Sequence, residues 1–128
     1  MSYYFTKVVE GKFSKVIENV TEELKKEGFG ILTEIDVKAT LKKKLDVDFR
    51  NYMILGACNP PFAYKALQVE EKVGTMLPCN VVVQERSDGK IEVSAVDPAA
   101  SMQAIDNVVL GEVAQAIQHK LKKVISNL

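Results

Sequence analysis

The sequence has no tryptophan, one histidine and two cysteines in 128 residues. Two thiols are too few for a disulfide framework, and no C-x-x-C or H-x-x-x-H spacing marks a zinc site. Glycine and proline are sparse, with seven and four, which excludes collagen-like and disordered compositions. Net charge is absent as well. The 17 Lys+Arg balance 17 Asp+Glu, removing the electrostatic argument for nucleic acid or an anionic membrane as partner. No window approaches the roughly 18 apolar residues of a membrane span. Met1–Lys7 shows no basic region leading into an apolar stretch, so no signal peptide is expected. The expected address is the cytoplasm, with Cys58 and Cys79 as reduced thiols.

What is present is an ordinary globular composition, 47% hydrophobic and 27% charged, and a length that suits one domain over residues 1–128. Tyr3–Val9 is rich in aromatic and β-branched residues and reads as a strand. Phe13, Val16, Ile17, Val20 and Leu24 then fall on one helical face, with Gly28 as the stop. From Phe29 to Val37 the pattern alternates, placing Phe29, Ile31, Thr33, Ile35 and Val37 on one side of a half-buried strand. A peripheral helix over Lys38–Leu45 follows. Tyr52–Cys58 is apolar on both faces and reads as a strand covered twice, by helices and by a partner chain.

Pro60 and Pro61 suit the first turn of a helix reaching about Val69. Gly74–Pro78 reads as a turn entering a strand. Cys79–Glu85 and Lys90–Val96 form a hairpin around Ser87-Asp88-Gly89. A three-residue loop pairs Val83 with Val93 and Val81 with Ala95, keeping apolar residues together, whereas a two-residue loop sets Val83 against Ser94. After a small-residue stretch comes a long last helix with Leu110, Val113, Ala114, Ile117, Leu121, Val124 and Leu128 as its stripe. This order of elements is α+β rather than repeated βαβ units.

Few residues carry chemistry. Cys58 sits at a strand end just before a helix start, where free N–H groups and the dipole favour a thiolate, although most free cysteines are small buried hydrophobes. Asn59 is placed to cap the same helix. Cys79 falls in the packed row of Val81 and Val83. His119 points away from the apolar stripe of the last helix, so a Cys-His pair has no specific support. Glu34 and Asp36 share a strand face, a geometry open to acid–base work or a hard cation but commoner on a solvated edge. The lysine clusters at 25–26, 42–44 and 120–123 fall at helix ends, where they offset the dipole, with acids such as Glu18, Glu22, Glu23 and Glu112 earlier. No G-x-G-x-x-G, phosphate loop, G-x-S-x-G or H-E-x-x-H occurs.

Several segments together carry a resemblance: Gly28-Phe29-Gly30-Ile31-Leu32-Thr33-Glu34-Ile35-Asp36-Val37, Gly56-Ala57-Cys58-Asn59-Pro60, Leu77-Pro78-Cys79-Asn80-Val81, and Asp97-Pro98 with Met102. Over most of its length the chain resembles the domain of unknown function 302 family of small bacterial and archaeal proteins. The resemblance implies a TATA-binding-protein-like α+β fold, with a curved, mostly antiparallel sheet and helices on one face, and a homodimer. It implies no activity, and likeness of fold to a DNA-binding protein is no evidence of DNA binding.

The expectation is therefore a non-enzymatic ligand- or protein-binding module, acting as a homodimer without cofactor, metal, nucleic acid or membrane. Its candidate site is Cys58, Asn59 and Pro60 with Cys79 and Asn80. The competing expectation is a thiol-dependent redox or metal-binding protein using Cys58 and Cys79.

Overall fold

The computed structural model describes residues 2–128. Its elements run β1 (Tyr4–Val9), α1 (Phe13–Lys26), β2 (Gly30–Asp36), α2 (Val37–Leu45), β3 (Tyr52–Cys58), α3 (Pro60–Val69), a 3-10 turn (Val73–Met76), β4 (Cys79–Glu85), β5 (Ile91–Val96), α4 (Pro98–Ser101) and α5 (Val108–Ser126). The strands form one antiparallel sheet in the order β1-β5-β4-β3-β2, with helices on one side and no closure into a barrel. The α+β class read from the sequence is the class observed.

The hairpin register follows from facing. Val83 pairs with Val93 and Val81 with Ala95, and all four are buried on the helix side. Arg86 N–H donates to Lys90 O at 2.8 Å, closing the Ser87-Asp88-Gly89 loop, and Gly89 has φ +82°. Helix α1 ends as its sequence predicts. Gly28, at φ +87°, donates to Lys25 O while Phe29 donates to Leu24 O, the double bond of a glycine-stopped helix.

Two cores result. The larger joins Val16, Val20 and Leu24 of α1 and Leu121 and Val124 of α5 to the sheet residues Leu55, Val81, Val83 and Val93. The smaller gathers Ala66 of α3, Val73 of the 3-10 turn, Met102, and Leu110, Val113 and Ala114 of α5. Phe62 packs against both.

One expectation changes. The alternation of β2 is broken at Leu32: Ile31 pairs with Ala57 but Thr33 with Gly56, so Thr33 and Ile35 fall on the face opposite Ile31. A bulge costs one residue of register, which flips everything beyond it. Helices cover Tyr52–Cys58 on the Leu55 and Ala57 side, as read from the sequence, while Ile54 lies on a face that no helix covers. Gly56 on that face is still buried, because the Thr33 side chain and the Pro78 ring fold over it; a Cβ there would stand 2.8 Å from Pro78 Cγ. The lysines stand at helix ends as read from the sequence, with Lys25 and Lys26, Lys42, Lys43 and Lys44, and Lys123 in last turns, and among the described residues no helix has an acid in its first turn. Glu22 and Glu23 instead pair with Lys25 and Lys26 one turn on, at 3.6 and 2.8 Å. Two further segments are more regular than their sequence reading: the turn entering β4 is a 3-10 turn over Val73–Met76, and the small-residue stretch opens on a short helix, Pro98–Ser101, capped by Asp97, which accepts from Ala99 N–H at 3.0 Å.

Candidate functional site

Between the two cores lies a pocket of about 340 Å³. Its space comes from small side chains at facing positions: Ala57 of β3, Ala63 and Ala66 of α3, Gly74 of the 3-10 turn, and Ala114 of α5. Larger residues at these positions would merge the cores. Phe29, Phe62, Met102 and Ile117 supply the bulk of the walls, and no charged residue contributes. Leu32, thrown outward by the bulge of β2, and Leu67 of α3 are 67% and 46% exposed at the rim.

Of the residues singled out by sequence, Cys58, Asn59 and Cys79 line this pocket. Pro60 does not: it is exposed on the first turn of α3. Asn80 also stands apart, exposed on the opposite sheet face, where it borders a groove of about 400 Å³ with Tyr3, Tyr4, Tyr52, Gln84 and Glu92. The corner expected from sequence is thus divided between two faces by the strand alternation of β4.

Asn59 holds the N-cap position of α3, yet its side chain makes no cap bond. Its Nδ2 instead donates to Glu27 O at 3.0 Å, tying the start of α3 to the last carbonyls of α1. Gly28 accommodates this: a Cβ there would stand 3.1 Å from Asn59 Nδ2. The residue is 7% exposed, and its Oδ1 accepts no hydrogen bond from the described residues. A second asparagine does the equivalent task for α5. Asn107 Oδ1 accepts from Leu110 N–H at 3.1 Å, while its Nδ2 donates to Val69 O at 2.8 Å.

Both thiols are free. Cys79 pairs across the sheet with Ala57, so Cys58 is displaced one residue from it. Burial, with a smaller contribution from Cys58 nearby, pushes the Cys79 thiol up to about 11. Cys79 is therefore a neutral, poorly nucleophilic thiol at neutral pH. His119 is exposed on α5 and does not line the pocket. Glu34 and Asp36 are exposed on β2, where Asp36 caps α2 by accepting from Ala39 N–H at 2.9 Å. Among the described residues no group of three or more His, Cys, Asp or Glu is arranged to hold a metal ion.

The profile of the family described as "Domain of unknown function DUF302" matches residues 5–128. The chain belongs to this family. The DUF302 assignment is matched in three dimensions by the crystal structure of an uncharacterized conserved DUF302 protein from Bacillus stearothermophilus. That structure is similar with a TM-score of 0.91 and 30% sequence identity, covering 98% of each chain. No curated protein matches the chain. Within the DUF302 fold described here, sequence reasoning missed the alanines that open the pocket. Their signal is the i, i+3 spacing of Ala63 and Ala66 together with Ala114 in the stripe of α5, which by itself reads equally as close helix packing.

Proposed function

We propose that this DUF302 chain is a binding module, not an enzyme, that takes one small, uncharged, apolar ligand in the pocket between its two cores. The observation that carries the reading is a cavity of about 340 Å³ whose lining contains no charged side chain. A pocket of this size, mostly apolar with a few polar groups, is the ordinary form of a small-molecule site. A charged ligand group buried there would lack a counter-charge, at a cost of several kcal/mol. Titration with neutral phenylnaphthylamine, which fluoresces in apolar surroundings, tests this. Saturable one-to-one binding supports the reading, and unsaturable weak partition removes it.

The competing reading, a thiol-dependent redox or metal-binding protein, is favoured by one fact: Cys58 and Cys79 line the same pocket. It requires Cys58 to be alkylated well below pH 8 or a metal to be retained on purification. The raised pKa of Cys79 weighs against it.

The reading includes a homodimer in the cytoplasm. The sheet face opposite the helices, with Tyr4, Val8 and Ile35 exposed, is the surface proposed for the second copy. Sedimentation at micromolar concentration tests it, and a monomer there contradicts it. The TATA-binding-protein-like form is carried as architecture alone, with neither nucleic acid nor membrane as partner; the balanced charge supports that restriction.

A further inference from the structure

Resting on the pocket reading above, we infer that the ligand carries a single hydrogen-bond donor, a hydroxyl or an N–H, which Asn59 Oδ1 accepts. The amide is held at one end only. Asn59 is more than nine-tenths buried and lines the pocket, and its Nδ2 is committed to Glu27 O at 3.0 Å. That bond fixes which end of the amide is spent. Oδ1 is left without a partner, yet it is not sealed from access, since among the described residues no fully buried side-chain N or O atom lacks a bond.

An acceptor in this state favours a donor and discriminates against groups that only accept. The other polar side chains of the lining are the thiols of Cys58 and Cys79, both weak hydrogen-bonding groups. Shape and apolar area therefore set affinity, and Asn59 sets which end of the ligand enters and what that end must be. A carboxylate brings a charge and no proton to the same oxygen, so it is excluded on both counts.

Three displacers of phenylnaphthylamine make the test: decanol, its isomer methyl nonyl ether, and decanoate. They share chain length and differ in the polar end, which is a donor, an acceptor only, or an anion. Wild-type protein should take decanol about tenfold more tightly than the ether, the size of one net hydrogen bond, and decanoate least. In Asn59→Leu the preference for decanol over the ether should shrink to about twofold or less. Because that variant also loses the tie to Glu27, the wild-type ranking alone decides if it fails to fold. Equal binding of decanol and ether overturns the role of Asn59 while leaving the pocket reading intact. Failure of all three and of the fluorophore overturns the pocket reading and this inference with it.

Discussion

Asn59 Nδ2 lies 3.0 Å from Glu27 O, so the residue that begins α3 closes the end of α1 rather than its own helix. This cross-link spans 32 positions of sequence and fixes one wall of the pocket against the large core. It also explains why Gly28 stands beside the amide with φ +87°.

Asn59→Ala should therefore destabilise the fold by about 1–3 kcal/mol, the cost of leaving a partly buried carbonyl without its donor. Urea unfolding followed by circular dichroism measures it. A change under about 0.5 kcal/mol would show that water replaces the amide at no cost.

Two glycines should respond in opposite directions. Gly56→Ala drives a methyl into the Pro78 ring, 2.8 Å from its Cγ, and into the Thr33 side chain. A loss of about 1–3 kcal/mol is expected from such overpacking. Gly30→Ala meets nothing within 4 Å and should be neutral or stabilising by about 0.5–1 kcal/mol. Equal melting temperatures for the two variants would contradict the packing of Thr33 and Pro78 over β3.

Cys79 makes stability depend on alkaline pH. The folded thiol keeps its proton to about 11, while the unfolded thiol loses it near its ordinary 9.0. Between these values the unfolded chain binds fewer protons, so unfolding free energy falls as pH rises through the window, by up to roughly 3 kcal/mol. Below pH 9 this group contributes no slope. Cys79→Val should flatten the profile between pH 9 and 11; a slope unchanged in the variant would assign it elsewhere.

Most of the fold is legible in the sequence because the signals are local. The stripe of α5 from Leu110 to Val124, the stop at Gly28 and the Val81–Val83 hairpin register each follow from period, glycine geometry or facing, and each is observed, although α5 ends at Ser126, before Leu128. The bulge at Leu32 is not legible: Phe29–Val37 alternates without a break, and only pairing with β3 shows that one residue is skipped. The site was legible in part. Cys58, Asn59 and Cys79 share the pocket, but Pro60 and Asn80 do not, since neighbours along a strand or at a helix start point apart. The cavity itself depends on which alanines face one another across β3, α3 and α5, a property of packing between elements distant in sequence.

The central claim is that the space between the two cores holds a small apolar ligand, and filling that space tests it most directly. Ala63 lines the pocket from α3 and is only half-buried, so Ala63→Phe can place a ring in the cavity at little cost to folding, within about 1 kcal/mol. Calorimetric titration of phenylnaphthylamine into wild type and Ala63→Phe should show one site in the first and at least tenfold weaker binding in the second, about 1.4 kcal/mol. Equal affinity in both proteins, with Ala63→Phe folded, would place the ligand elsewhere and contradict the account.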